Sequence, residues 1–328
     1  MLKTRITEML KIKYPILMGG MHWVSFAEMV AAVADAGGFG FLPSASFESV
    51  EALRAEVKRT KDLTDGPFGI NISMLPDVSP GEQMLDIVRM GIEEKVDAFE
   101  TAGRSPEPFI PLVKAAKVPL IHKITQVRFA KKAESVGADA VIIVGFEGGG
   151  HLGMADVTSM ILINKAARAL SVPVIAAGGI VDGRGLIAAL ALGADGVLMG
   201  TRFLASKETP IHQNFKDWIL NATENDTAIV MRSIKNPMRV MNNATAKTVR
   251  EIEARGTTLE EILTYAAGKF GKQAYNSGDV DMGIISVSEG MGLIGDVKPI
   301  KEIMADIVAE AEEGLARLKK IMGDGKAR

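Results

Sequence analysis

Eight short apolar runs, each followed by a stretch of helical period, constrain this chain more than any other feature. They are Tyr14–Gly20, Gly38–Leu42, Phe68–Ile72, Ala98–Gly103, Pro119–Ile124, Ala140–Gly145, Pro173–Gly179 and Gly196–Thr201. Their apolar character is nearly continuous and not alternating, as a strand covered on both faces requires. Amphipathic stretches such as Phe26–Ala36 and Val50–Lys61 fill the intervals. Gly137-Ala138 and Gly193-Ala194 mark places where a helix stops and a strand restarts. Eight strand–helix units within about 200 residues predict an α/β fold of the (β/α)8 TIM-barrel type. The alternative is an open doubly wound sheet. Its usual GxGxxG is missing after the first strand, where Met18-Gly19-Gly20-Met21 stands.

After the eighth strand the pattern changes. Ile211–Lys272, rich in Asn, Thr and charge, reads as a run of helices with no strand-like segment. The expected organisation is therefore a barrel built from 1–210 and 278–328 with a helical insertion, or cap, at 211–277. The insertion can cover a ligand or form the contact of a homodimer. The closing stretch carries a Gly-rich turn at Gly290-Met291-Gly292 and then a long amphipathic helix to Lys320, expected to return to the barrel.

Composition narrows the chemistry. With 328 residues, 47% of them hydrophobic, the chain can bury a large core of its own. Its 38 basic and 40 acidic residues leave a formal net charge of −2, so nothing electrostatic recommends a nucleic acid or an anionic membrane surface as partner. A small-molecule substrate is the expected partner. Cysteine is absent, which excludes disulfides, thiolate metal sites and a cysteine nucleophile. The four histidines are scattered without HxH or HExxH spacing, so no metal site is expected, and no GxSxG elbow is present. No stretch reaches the roughly 20 apolar residues of a membrane-spanning helix. The N-terminus also lacks the pattern of a signal peptide, and a cytoplasmic location is expected.

In a barrel of this kind the residues just past each strand form the active site. Two glycine turns, Gly178-Gly179 and Gly200-Thr201, close the last two strands, and their bare backbone can approach a phosphate. That phosphate can belong to a substrate or a cofactor; spacing alone does not decide. The sixth strand runs into Gly145-Phe146-Glu147-Gly148-Gly149-Gly150-His151-Leu152-Gly153, a loop that can lie over a flat ring with His151 facing a substrate. A solvent-exposed loop histidine is the plainer alternative. Asn71 can hydrogen-bond a heteroaromatic edge or cap a loop, and Lys123 can stabilise developing negative charge or pair with a buried carboxylate. If Lys123 points inward, His122 points outward toward the helices. Trp23 and His22, at the first strand's end, are either core anchors or part of a substrate wall.

Several segments resemble the nitronate monooxygenase (2-nitropropane dioxygenase) superfamily of FMN barrels along nearly the whole chain. They are YPILMGGM, DAGGFGFL, PFGINI, GFEGGGHLG and PVIAAGGIVDGRGLIAALALGADGVLMGTRF. The resemblance implies FMN, with its phosphate at Gly178, Gly179, Gly200 and Thr201. It puts the flavin ring near Gly20, Met21, Asn71, Lys123, Gly149 and Gly150. It marks His151 as the catalytic base, with Lys123 beside it. The implied reaction is oxidation of alkyl nitronates with O2 to a carbonyl compound and nitrite. GGMHWV, ETAGRSP, HKITQVRFAKKAE, RSIKNPMRVMNN and SGDVDMGI look most like the quinone-reductase-like subgroup. That subgroup would take NADH or NADPH as electron donor and a quinone as substrate. An enoyl-acyl-carrier-protein reductase shares the same barrel.

Overall fold

The computed structural model describes residues 2–74, 81–256 and 258–322, without the side chains of 81 and 82. Residue 257 of the expected insertion and the last six residues of the chain lie outside the described ones. Eleven strands are present among the described residues: β1 (Ile16–Met18), β2 (Phe39–Pro43), β3 (Phe68–Met74), β4 (Ala98–Gly103), β5 (Leu120–Ile124), β6 (Ala140–Val144), β7 (Gly150–His151), β8 (Val174–Ala177), β9 (Gly196–Met199), β10 (Thr227–Val230) and β11 (Met238–Met241). Strands β1 to β6, β8 and β9 pair in parallel and close into a barrel, sealed by Ile16↔Val197, Leu17↔Leu198 and Met18↔Met199. All eight apolar runs are barrel strands, so the TIM-barrel expectation holds.

The period of two along each strand divides the core in two. Leu17, Phe39, Phe41, Ala98, Ile121, Ala140, Ile142, Ile175 and Ala177 form one cluster filling the lumen. Their sequence neighbours Ile16, Met18, Ile70, Phe99, Leu120, Val141, Ile143, Val174 and Val197 belong to a second, larger cluster under the helices. Gly69 shows why a small residue is needed in the lumen: a Cβ there would lie 2.9 Å from the Phe41 ring. A helix over Arg5–Leu10 adds Ile6 and Leu10 to the lumen cluster. It is tied down by Arg5, whose Nε and Nη2 donate to the Asp195 carboxylate at 2.8 and 2.6 Å.

Local signals explain the helix limits. Ser49 and Asp182 accept from the amides of Ala52 and Gly185, opening helices Val50–Leu63 and Gly183–Ala191. Gly137 ends helix Val127–Val136 at φ 110°, a left-handed position that costs glycine little. After β9 the chain leaves the barrel, and the last helix of the ring is the C-terminal one, Ile300–Met322, which packs against Gly183–Ala191 and Ala27–Asp35. The closing stretch thus returns to the barrel as expected.

The excursion between them corrects one expectation. The segment 211–277 is not all helix: β10 and β11 pair antiparallel, Thr227↔Met241 to Val230↔Met238, and β11 pairs in turn with β7. The three-stranded sheet β10-β11-β7 therefore joins the excursion to the loop that follows β6. Thr227–Val230 and Met238–Met241 are four residues each, too short for alternation to stand out against flanking helices. Among the described residues no helix is long and apolar enough to cross a membrane.

Candidate functional site

The C-terminal mouth of the barrel gathers most of the polar residues singled out from the sequence. Asn71, Glu100 and Lys123 share the lumen parity of Phe41, Ala98 and Ile121. They sit side by side on β3, β4 and β5, where Asn71 registers with Glu100 and Ala102 with Lys123. Glu100 is fully buried, and neither of its carboxylate oxygens receives a well-formed hydrogen bond. Its partner is the Lys123 ammonium, Nζ 2.5 Å from Oε1, on a side chain about a quarter exposed toward the mouth. Lys123 is thus at once the buried ion-pair partner and a cation facing the opening. His122 points the other way, as expected: it is buried outside the barrel wall, its Nδ1 2.9 Å from Thr101 Oγ1. Burial pushes its pKa down to about 4.

Asn71 is 2% exposed, and its side-chain nitrogen, Nδ2, has no partner within the protein. A buried amide donor left unpaired costs on the order of 1–3 kcal/mol unless a ligand completes it. Gly20 lies directly over this residue; a Cβ at position 20 would come within 2.5 Å of Asn71 Cβ, so only glycine lets the first strand's end approach it. Met21 follows, its amide held by Ser25 Oγ at 3.0 Å.

Across the mouth, Gly178 and Gly179 take φ of 100° and 72°. Both lie in the left-handed region that disfavours any side chain. Gly200 has ordinary backbone, and Met21 Sδ, 3.7 Å from a built Cβ, is its nearest neighbour, which leaves the backbone open. Thr201 does not aim its hydroxyl outward: Oγ1 accepts from the Ser288 amide at 2.9 Å. Its contribution to an anion site is its backbone, not its hydroxyl.

The glycine-rich loop after β6 is held from several sides. Ser159, first residue of helix Ser159–Ala169, donates its amide and hydroxyl to Glu147 at 2.8 and 2.9 Å, and its hydroxyl also donates to the Gly178 carbonyl at 2.9 Å. Gly149 packs against the backbone of Val287, 2.6 Å from a built Cβ. Gly150 and His151 form β7, opposite Arg239 and Met238 of β11. His151 is solvent-exposed on β7, with protein atoms crowded around it. This desolvation, and secondly the Lys123 charge, lower its pKa to about 4. At neutral pH it is an uncharged imidazole beside a cation.

Trp23 and His22 line the edge of the same mouth, stacked on each other at 4.5 Å. Trp23 holds a left-handed backbone at φ 64° and carries the Lys272 ammonium 4.4 Å above its ring. His22 donates its Nε2–H to the Ala45 carbonyl at 3.0 Å, and desolvation lowers its pKa. Both residues join the first strand's end to the excursion and the segment after β2, which favours the wall reading over the core-anchor one.

Sequence reasoning overlooked Arg239. It is 4% exposed, donates twice to the Phe146 carbonyl at 3.0 and 3.3 Å, and donates to Thr227 Oγ1 at 2.7 Å. It also pairs with Glu289 at 2.7 Å and lies 4.8 Å over the Phe146 ring. A strand signal in Met238–Met241 would have exposed it as a charged residue at an inward position.

The profile of the nitronate monooxygenase family matches residues 3–310. This chain belongs to that family. Relatives of several names are similar to it as well. A (3aS,4S,5R,7aS)-5-hydroxy-7a-methyl-1-oxo-octahydro-1H-indene-4-carboxyl-CoA dehydrogenase of Rhodococcus jostii strain RHA1 is 34% identical, over 94% of this chain and 96% of that protein. A probable nitronate monooxygenase of Staphylococcus saprophyticus is 32% identical, over 85% of this chain and 89% of its own length. The solved structure of FabK from Thermotoga maritima superposes with a TM-score of 0.91 at 36% identity, covering 98% of this chain and all of that one. This nitronate monooxygenase family member is an oxidoreductase of flavin-dependent type on a TIM barrel.

Proposed function

We propose that the chain binds FMN at the barrel mouth and uses it to reduce an unsaturated acyl thioester next to its carbonyl with NADH or NADPH, or to run the same step in reverse onto NAD+ or NADP+. The observation that carries the FMN reading is the orphaned Asn71 amide on one side of the mouth, facing the bare backbone of Gly178, Gly179 and Gly200 on the other. Asn71 can donate to the polar edge of the ring, and those glycines with the Thr201 backbone can hold the phosphate. Gly20, Met21, Gly149 and Gly150 offer close backbone contact along the ring. The bound flavin would supply two-electron transfer, which no side chain in this chain can perform.

The protein's own part is to stabilise charge. As hydride joins or a proton leaves the carbon skeleton, negative charge builds on the carbonyl oxygen. His151 as a neutral donor and Lys123 as a cation can both hydrogen-bond that oxygen. An imidazole with its pKa near 4 is a weak base, which makes orientation and charge stabilisation its better roles. The thioester is supported by the 34% identical carboxyl-CoA dehydrogenase.

A second reading is oxidation of an alkyl nitronate with O2, supported by the family match and the 32% identical relative. A nitronate arrives already ionised, so it needs Lys123 and His151 for binding and no strong base. Quinone reduction is a third use of the same site. Rapid-mixing reduction of the flavin-loaded protein by NADH and NADPH, followed by addition of crotonyl-CoA, propionate-3-nitronate or a benzoquinone, separates them. Consumption of the enoyl thioester at the expense of nicotinamide supports the proposal. Turnover of nitronate alone overturns it in favour of the second reading, and a protein that takes up no flavin overturns all three.

A further inference from the structure

Between β6 and His151 the chain passes Gly148, Gly149 and Gly150, a stretch with the greatest backbone freedom a sequence can have. A side chain that must meet a substrate cannot hang on such a tether unless something outside the loop holds it. Among the described residues, Arg239 is the side chain that donates to a carbonyl of 145–151, gripping Phe146 with two nitrogens while its ring lies beneath the guanidinium. Its own backbone pairs with Gly150, and the adjacent Met238 pairs with His151. The Leu152 amide continues the ladder to the Pro237 carbonyl at 2.8 Å.

Arg239 is itself fixed from two further directions. Thr227 of β10 and Glu289 of the closing stretch hold Nη1, and the Glu289 amide donates to the Glu147 carbonyl of the loop at 3.1 Å. The grip therefore runs from the excursion, through a buried arginine, to both ends of the glycine stretch. We infer that Arg239 is a positioning residue that sets His151 at the barrel mouth, and that the β10–β11 hairpin exists in part to present it. This rests on reading His151 as the group that faces the substrate. Arginine suits the task because its planar fork serves several acceptors at fixed angles, which a lysine cannot do.

The test follows the imidazole itself by NMR titration of the purified full-length protein, with the four histidines assigned through single His→Gln variants. In the unaltered protein the His151 midpoint should lie near 4. The charge acting on it is that of Lys123. Arg239→Lys keeps the positive charge but loses the fork. The expected result is a His151 midpoint that climbs toward 6.5 as the imidazole moves away from the surrounding protein and the Lys123 charge, while His122, behind the barrel wall, stays near 4. Catalytic efficiency should fall tenfold or more with flavin content unchanged.

A folded Arg239→Lys protein whose His151 midpoint does not move overturns the inference. So does a shift seen with Arg239→Gln but not with Arg239→Lys, since charge and not position would then be responsible. If both fail to fold, Thr227→Val and Glu289→Gln each release one arm of the grip, and the same midpoint decides. A His151→Gln protein with full turnover would refute the substrate-facing role of His151 and leave the titration result on Arg239 standing.

Discussion

Replacing Lys123 by methionine tests the electrostatics of the mouth most directly. The substitution keeps the length and apolar stem of the side chain and removes only the ammonium. Glu100 then remains fully buried, with no hydrogen-bond donor at either oxygen and its partner, formerly 2.5 Å away, gone. Breaking a buried pair by removing one member costs about 3–5 kcal/mol, mostly the uncompensated charge left behind. The exposed quarter of Lys123 lets water reach the site and favours the lower end, near 3 kcal/mol. For a chain of this size the melting temperature should drop by roughly 4–6 °C. Lys123→Met with Glu100→Gln should recover most of the loss, because a neutral amide needs no countercharge. Urea unfolding at pH 7 of the unaltered protein, Lys123→Met, Glu100→Gln and the double variant gives the coupling directly. A single variant that loses less than about 1 kcal/mol, or a double variant no better than the single, would refute the reading of an obligatory buried pair.

Other outcomes follow from the same geometry. Asn71→Leu removes an unpaired buried donor, so the flavin-free protein should be as stable as before or slightly more so, while FMN affinity falls at least tenfold in fluorescence titration. Gly178→Ala forces a side chain to φ 100°, with its Cβ 3.0 Å from both the Gly145 carbonyl oxygen and Ser159 Oγ. It should cost about 1–3 kcal/mol and impair flavin binding, both readable from thermal melts with and without FMN. Because His151 is already neutral well above pH 4, turnover limited by its uncharged form should show no acid limb centred near 6.5 in a pH–rate profile. His122 ties stability to pH: its folded pKa of about 4 lies below the unfolded value near 6.5, so the unfolded chain binds the extra proton. Stability should fall by about 3 kcal/mol as pH drops from 6.5 to 4, and His122→Gln should flatten that slope in unfolding experiments.

What the sequence determined by itself is the barrel and the residues at its mouth. Eight apolar runs covered on both faces have few ways to bury themselves, and each strand end was legible because Gly, Asn, Lys and His interrupt an otherwise apolar run. The inward Lys123 and outward His122 also followed from the period of two along β5. Only the tertiary structure decided what these groups do to one another. Glu100 stood in the sequence as one more polar residue at a strand end; its pairing with Lys123 depends on the register of β4 against β5. Thr201 was read as part of a phosphate turn; that Ser288, 87 residues away, claims its hydroxyl could not be read from the sequence. The excursion looked helical because β10 and β11 are too short to show a period, and their partner β7 comes from far earlier in the chain. Local pattern reports which face of a strand is buried, whereas the partner of a buried charge is set by chain closure over long distances, and that is why Arg239 became visible only once the fold was assembled.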